Sequence, residues 1–116
     1  MLPFKFEALS RRMCKTSRHQ DSLHFCIIVK GGAILSMATN GDQYHPDGRT
    51  HAEIRALMDL WPSKRKGTKL WSVRLLKTGS FGMARPCPKC AAEIKAAGVK
   101  TVFYTDNNGA VQMMKP

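Results

Sequence analysis

The order of apolar and polar residues along the chain predicts a helix first and a pair of strands after it. Three apolar residues, beginning at Phe6, have the spacing of one helical face, so an amphipathic helix is predicted over 6–18. The apolar run over 24–30 has the length and composition of a buried strand. Two glycines follow it as a hairpin turn, and 33–39 is predicted to return as the second strand.

A polar loop over 40–50 leads to a second predicted helix. Thr50 is predicted as the N-cap of a helix over 51–60, in which Glu53 completes a capping box. Pro62 is predicted to end this helix, since proline has no N–H to continue it. The apolar stripe that is expected to face the core consists of Ile54, Leu57, Met58 and Trp61.

The rest of the chain alternates between strand-forming and helix-forming segments. The predictions are a strand at 69–76, a loop or bulge at 79–82, a helix at 87–97 stopped by Gly98, a strand at 101–105, a turn at 106–109 and an edge strand at 110–114. The order α, β-hairpin, α, β, α, β-hairpin predicts an α/β protein with helices covering a central mixed sheet. With 116 residues, the chain is expected to form one domain over 1–116.

The chain is strongly basic, with 19 Lys and Arg against 8 Asp and Glu and a net charge of +11. This excess predicts attraction to polyanions or to phosphorylated substrates. The sequence has no run of about 18 apolar residues, so no membrane-spanning helix is expected. Its first residues show no secretory signal, and a cytoplasmic location is expected.

Two short motifs combine the side chains of a catalytic metal site. His51-Ala52-Glu53 supplies an imidazole and a carboxylate, and Cys87-Pro88-Lys89-Cys90 supplies two thiols. Cys87 and Cys90 open the third predicted helix at positions i and i+3, so their sulfur atoms lie on one face of its first turn. One histidine and two cysteines leave the fourth position of a tetrahedral Zn²⁺ open for water, as in catalytic zinc sites.

These residues together imply a hydrolytic reaction. A zinc ion bound by His51, Cys87 and Cys90 lowers the pKa of its water from 15.7 towards about 7, which generates hydroxide near neutral pH. Glu53 is close enough in sequence to take the water proton and to deliver it to a ring nitrogen and then to the departing amine. The implied reaction is hydrolysis of an amidine-like C–NH₂ group, as at C4 of cytosine or C6 of adenine.

The remaining histidines and cysteines do not fit the ligand spacing of the two motifs. A structural zinc site usually has four protein ligands, and a fourth ligand would have to be His19, His24 or His45. Cys14 and Cys26 are instead predicted to be buried as small hydrophobic side chains. A catalytic site with one open position is therefore favoured over a structural site.

Residues 50–57 and 84–91, which contain the two motifs, resemble the cytidine deaminase-like superfamily. The resemblance covers most of the chain, from the strand at Ile27 to the strand at Tyr104. It implies a three-layer α/β/α fold with a central five-stranded mixed sheet and zinc as the cofactor. It also implies Glu53 as the catalytic acid and base, in agreement with the chemistry above.

Further residues are expected to contact the substrate. Asn40 looks like the family asparagine that contacts the sugar or the base. The backbone N–H groups of Ala52 and Cys87 resemble those that lie beside the reacting centre. Arg49 and Arg85 border the motifs, and their position and charge make them candidate phosphate contacts.

The sequence leaves the substrate open. The leading hypothesis is a deaminase of a cytosine nucleoside or nucleotide, of the cytidine or deoxycytidylate type. Residues 106–109 have room only for a turn, so the last strands are expected to be antiparallel, as in free cytidine deaminases. The basic charge favours a second hypothesis, cytosine or adenine within single-stranded DNA or RNA, and a basic nucleic-acid-binding module with structural zinc is the third. A homo-oligomer is expected, because so small a domain has few residues to enclose a base.

Overall fold

The computed structural model describes residues 4–14, 23–40 and 51–116, and the elements in these ranges follow the predicted order. In chain order they are α1 (Phe4–Cys14), β1 (Leu23–Lys30), β2 (Ala33–Thr39), α2 (Ala52–Met58), α3 (Pro62–Arg65), β3 (Lys69–Leu75), β4 (Phe81–Gly82), α4 (Pro88–Ala96), β5 (Thr101–Thr105) and β6 (Val111–Met114). Helical segments alternate with pairs of strands, which confirms the predicted α/β class.

The strands form one mixed sheet in the order β2-β1-β3-β5-β6, and the short β4 pairs with the end of β3. β1 is antiparallel to both β2 and β3, whereas β5 is parallel to β3. β6 returns antiparallel to β5, which confirms the expectation for a short turn over 106–109. The parallel pair needs a crossover, and α4 provides it.

Alternate residues of β1 face opposite layers of helices. Phe25 and Ile27 pack in a cluster with Phe6 of α1, whereas Cys26 and Ile28 belong to a second cluster. The second cluster also contains, from α2 and α4, Ala52, Ala56, Leu57, Cys90 and Ile94. Helix α1 therefore covers one face of the sheet, and α2 with α4 covers the other. This arrangement confirms the predicted three-layer α/β/α fold.

Helix α4 has the two ends that its sequence predicts. Cys87 is the N-cap, and Pro88 is the first helical residue, where a missing N–H costs least. Ala97 is the C-cap, and Gly98 follows with a φ of +86°, which glycine adopts without steric cost. A Cβ atom at Gly98 would also lie 3.1 Å from the Cα of Lys66, so glycine allows the helix end to approach the segment that leads into β3.

Four details differ from the sequence-based predictions. Met58 and Trp61, which were predicted to face the core, are 71% and 79% exposed, since they lie at and beyond the end of α2. His51 is the N-cap of α2, and its side chain makes no capping hydrogen bond; the predicted cap, Thr50, lies outside the described residues. Helix α2 ends at Met58, before Pro62, and Pro62 instead begins the short helix α3, because proline is favoured at the first positions of a helix. The loop or bulge predicted over 79–82 contains β4, whose two residues pair with the last two residues of β3.

Some predictions fall on parts of the chain that lie outside the described residues. These are the end of the first predicted helix, at 15–18, and the loop beyond Asn40. The assignment of 1–116 to one domain stays a prediction. Within the ranges 4–14, 23–40 and 51–116, no helix is long and apolar enough to cross a membrane.

Candidate functional site

His51, Cys87 and Cys90 lie together where two helices begin. His51 and Cys87 are the N-cap residues of α2 and α4, and Cys90 lies in the first turn of α4. Their ligand atoms, one imidazole nitrogen and two Sγ atoms, all lie within 4.8 Å of one another. Tetrahedral bonds to zinc of about 2.0–2.3 Å place two ligand atoms roughly 3.3–3.8 Å apart. The three side chains therefore fit one zinc ion after small adjustments.

The local backbone explains why the two cysteines converge. The backbone at Cys87 is extended before α4 begins, with φ −65° and ψ 162°. Its Sγ accepts a hydrogen bond from the backbone N–H of Cys90 at 3.5 Å. This bond caps the helix and holds the Cys87 sulfur over the first turn, where it lies next to the Cys90 side chain.

The surroundings of Cys90 also fit a metal ion. Burial raises the pKa of its thiol far above the ordinary range, and the Glu53 carboxylate and the Cys87 thiol raise it further. A thiolate at this position therefore needs a positive partner. Its Sγ lies 3.1 Å from the Nδ1 atom of His51, and zinc deprotonates a coordinating thiol outright. One imidazole with two thiolates is a donor set that suits zinc.

Glu53 is the carboxylate of the site and lies in the first turn of α2. The residue is 4% exposed. Burial raises its pKa to about 7, although a backbone hydrogen bond acts in the opposite direction. Near neutral pH the group is therefore poised between its two protonation states, which is the property that efficient proton transfer requires.

Asn40 follows the last residue of β2 and lies beside the start of β1. Its backbone N–H donates to the carbonyl oxygen of His24 at 3.2 Å. Its Oδ1 accepts a hydrogen bond from the backbone N–H of His24 at 3.1 Å. The second bond orients the buried side-chain amide, and the first fixes the backbone of Asn40 beside β1. Ala52, another predicted substrate contact, is fully buried as the first residue of α2.

Of the two predicted phosphate contacts, only Arg85 lies in the described part of the chain. Arg85 is exposed, in the segment between β4 and α4, two residues before Cys87. Arg49 lies outside the described residues. Both phosphate roles therefore stay predictions.

The sequence patterns did not indicate that Cys26 lies beside the site. Cys26 is fully buried in β1, as predicted for a small hydrophobic side chain. Burial raises its pKa, and the nearby charges of Glu53 and Cys90 raise it further. Among the described residues, the group that can hold one ion is His51, Cys87 and Cys90. Cys26 therefore lies next to the ligand group without joining it.

The sequence patterns also did not indicate two buried polar groups on β3. The Ser72 Oγ and the Arg74 Nε are buried, and neither has a hydrogen-bond partner within the described residues. The available signal was the alternation of polar and apolar residues from Ser72 to Leu75, which places both polar side chains on one face of the strand. Which face this is depends on the strand register, and the sequence does not specify that register.

Comparison with known proteins agrees with this site. The model of the cytidine and deoxycytidylate deaminase zinc-binding region matches residues 5–106. No curated protein matches the sequence. The apo form of dCMP deaminase from the cyanophage S-TIM5 has a TM-score of 0.65 and 25% identity, covering 92% of this chain and 86% of that one.

Two further solved structures are similar. The same cyanophage enzyme in complex with dCMP and dUMP has a TM-score of 0.63 and 27% identity, covering 92% of this chain and 85% of that one. Cytidine deaminase from Burkholderia pseudomallei has a TM-score of 0.72 at 14% identity, covering 99% of this chain and 93% of that one. An identity this low shows a common fold alone.

The matched range begins in α1 and ends directly after β5. It therefore includes the three residues that can hold zinc, the buried Glu53 and most of the sheet, and it goes well beyond the two short motifs. The fold of the relatives agrees with it over nearly the whole chain. On this basis the chain belongs to the cytidine and deoxycytidylate deaminase family, whose members are zinc-binding hydrolytic deaminases.

Proposed function

We propose that the protein converts a cytosine base to uracil in a nucleoside or nucleotide, by zinc-dependent hydrolysis at C4. The observation that carries this proposal is the position of Glu53. It is a buried carboxylate two residues from His51, next to side chains that can hold one zinc ion. A structural zinc site needs no such carboxylate, whereas hydrolysis needs a group that transfers protons.

The chain supplies the proton transfers of this reaction. His51, Cys87 and Cys90 would hold the zinc ion, which would act as a Lewis acid and favour deprotonation of water. Glu53 accepts the proton of the attacking water and donates it to N3 of the cytosine ring as the C4–O bond forms. Glu53 then takes the remaining proton from the new C4 hydroxyl group and transfers it to the C4 amino group, which leaves as ammonia while the C4 carbonyl forms. One water is consumed for each uracil and ammonia produced, and no electrons are exchanged.

Backbone and side-chain groups are proposed to position the substrate. The first N–H groups of a helix have no acceptor within the helix, so those of Ala52 and Cys87, at the starts of α2 and α4, are suited to bind polar atoms of the ring. Asn40, which is held by two hydrogen bonds to β1, is proposed to contact the sugar or the base. Arg49 and Arg85 are proposed phosphate contacts.

The charge of the protein supports a second candidate substrate, cytosine or adenine within single-stranded DNA or RNA. The net charge is +11, and Trp61, which is 79% exposed, lies next to the basic helix α3. Aromatic side chains near positive charge stack on the bases of single strands. Affinity for a polymer is expected to fall steeply with rising salt, whereas affinity for one nucleotide changes little.

We also infer that the protein assembles with copies of itself. β2 is an edge strand of the sheet, and it exposes Ile34, Leu35 and Met37 by 39, 38 and 41%. Exposed apolar side chains on an edge strand favour association with another chain. Light scattering on the purified protein tests this inference, and Met37→Lys is expected to lower the measured mass. A wild-type protein that stays monomeric at high concentration contradicts it.

The experiment that tests the proposed function is a substrate panel. The zinc-loaded protein is incubated with cytidine, deoxycytidine, their monophosphates and single-stranded oligonucleotides, and ammonia release is measured. Release from at least one cytosine compound is expected, and release from none contradicts the proposal. A binding module with structural zinc, the third hypothesis, is supported instead if no substrate reacts and Glu53→Ala leaves nucleic-acid binding and zinc content unchanged.

A further inference from the structure

The strand register places Arg74 on the face of the sheet that carries the zinc ligands. On the neighbouring strands β1 and β3, Cys26 lies opposite Ser72 and His24 lies opposite Arg74. Cys26 belongs to the cluster beneath α2 and α4. Because side chains alternate between the faces of a strand and directly opposite residues share a face, Arg74 lies on the α2 and α4 side.

Asn40, His24 and Arg74 lie next to one another across three strands, in a row perpendicular to the strand direction. Asn40 is hydrogen-bonded to His24 across β2 and β1, and Arg74 is the partner of His24 on β3. Adjacent strands are about 4.8 Å apart, so the backbones of Asn40 and Arg74 are separated by roughly 10 Å. On its other side Arg74 pairs with Gly82 of β4, from which the chain continues to Cys87.

The Arg74 side chain has a polar atom that the described protein does not satisfy. Its Nε is shielded from solvent and has no hydrogen-bond acceptor within the described residues. No salt bridge there involves Arg74, although Arg11 pairs with Glu7 on α1. A buried donor without an acceptor is destabilising. A shielded arginine donor that the described residues leave unsatisfied is suited to an acceptor on a bound ligand.

A comparison with other polar side chains shows which residue is best suited to bind an external acceptor. The Ser72 Oγ, on the same face of β3, is the second buried atom of this region without a partner in the described residues. Arg55, by contrast, donates from Nη1 to the carbonyl oxygen of Thr39 at 2.7 Å and so joins α2 to β2. Arg85 is exposed. Among these arginines, Arg74 is the one with a shielded and unsatisfied donor.

We propose that Arg74 binds an anionic group of the substrate and thereby selects a cytosine nucleoside monophosphate over the free nucleoside. The planar guanidinium group donates two parallel hydrogen bonds to phosphate oxygens, which neutral side chains do not reproduce. This inference rests on the proposed deaminase function for the identity of the base. The proposed main phosphate contact is then Arg74, rather than Arg49 or Arg85.

Kinetics with paired substrates test the proposal. The ratio of kcat/KM for deoxycytidine monophosphate to that for deoxycytidine is measured for the wild type, Arg74→Gln, Arg74→Lys and the control Arg12→Gln, which removes an exposed charge on α1. Wild type is expected to prefer the monophosphate. Arg74→Gln is expected to lower this ratio about 10- to 100-fold, mainly through KM, and Arg74→Lys to restore part of it. The control is expected to leave the ratio unchanged.

A second readout separates this inference from the proposed function. Calorimetry compares the binding of deoxyuridine monophosphate, deoxyuridine and inorganic phosphate. Tighter binding of the monophosphate that depends on Arg74 supports the inference even if no substrate is deaminated. Turnover of deoxycytidine with no preference for the monophosphate overturns the inference while the deaminase function stands.

A structural role for Arg74 is tested by stability. Arg74→Met keeps much of the side-chain length and removes the unsatisfied donor, so its melting temperature is expected to equal or exceed that of the wild type. A variant that unfolds, or that melts well below the wild type, would show that the arginine is required by the fold and would overturn the proposal.

Discussion

The Nδ1 atom of His51 lies 3.1 Å from the Sγ atom of Cys90, although the two residues are 39 positions apart in the chain. The contact joins the starts of α2 and α4, two helices that pack against each other. Two ligands of one tetrahedral zinc ion are roughly 3.6 Å apart, so only a small movement separates this arrangement from metal coordination. The fold therefore positions the ligands largely by itself.

Removal of zinc is expected to lower the stability of the protein without unfolding it, because most members of the two core clusters are apolar side chains that are not zinc ligands. When free zinc exceeds its dissociation constant a thousandfold, binding stabilises the folded state by about 4 kcal/mol. The melting temperature with and without a chelator measures this effect. Equal melting temperatures would contradict zinc binding by the folded protein.

The ligand set is tested by metal stoichiometry in cysteine variants. Cys90→Ala is expected to lose zinc, since it removes one of three protein ligands. Cys26→Ala is the matched control: it removes a buried thiol beside the site that lies outside the ligand group. It is expected to keep one zinc per chain in native mass spectrometry. Loss of zinc from both variants would mean that Cys26 is itself a ligand.

Glu53→Gln is expected to lower kcat by roughly 10²- to 10⁴-fold, the usual contribution of a group that transfers protons. The variant keeps the shape of the side chain, so zinc content and melting temperature should change little. Glu93→Gln, the same substitution at an exposed position of α4, serves as the control and should retain activity. Full activity of Glu53→Gln would show that another group transfers the proton.

Thr105 joins three strands at the edge of the site. The residue is fully buried; its Oγ1 donates to the carbonyl oxygen of Gly82 at 2.6 Å and accepts from the backbone N–H of Arg74 at 3.4 Å. Thr105→Val keeps the shape of the side chain and leaves these partners unsatisfied. The free energy of unfolding should therefore fall by about 1–3 kcal/mol. Chemical denaturation measures this, with the exposed Thr78→Val as control. Equal stability of the two variants would contradict the role of Thr105.

Acid sensitivity is expected from the turn between β5 and β6. Hydrogen bonds from the Gln112 side chain and from the backbone of Asn108 and Ala110 hold the pKa of Asp106 below its ordinary value. A carboxyl group with a lowered folded-state pKa stabilises the fold above its unfolded-state pKa, and this stabilisation is lost as pH falls through the folded-state value. Asp106→Asn should therefore show a smaller loss of stability than wild type between about pH 5 and pH 2.

Melting temperatures across this range measure the difference between the two proteins. Asp59→Asn, at an exposed position after α2, changes the net charge equally and should follow the wild type. If Asp106→Asn and wild type lose stability in parallel, the Asp106 carboxylate does not contribute to the loss of stability at acid pH.

Local sequence features were sufficient for much of the fold and for the ligand set. The bounds of β2 and β5 were predicted correctly because glycines and apolar runs mark them directly. The start of α4 was predicted because proline suits the first turn of a helix, where Pro88 lies. His51, Cys87 and Cys90 followed from their donor chemistry, which does not depend on distant contacts.

Features that depend on pairing between distant segments could not be predicted in this way. Helix α3 and β4 are shorter than any reliable periodic pattern, and β4 exists because it pairs with the end of β3. The position of Cys26 beside Glu53 depends on the packing of α2 on β1, and the face of the sheet that carries Ser72 and Arg74 depends on the register of β1 against β3. Nothing in either strand alone specifies that register.

The central claim is hydrolytic deamination of cytosine, and one measurement tests it most directly. Zinc-loaded protein is incubated with deoxycytidine monophosphate in oxygen-18 water, and the product is analysed by mass spectrometry together with an ammonia assay. We expect a uracil nucleotide that carries one oxygen-18 atom, one ammonia for each uracil, and almost no product with Glu53→Gln. Absence of uracil from this substrate and from the other cytosine compounds, or uracil without the label, would contradict the claim.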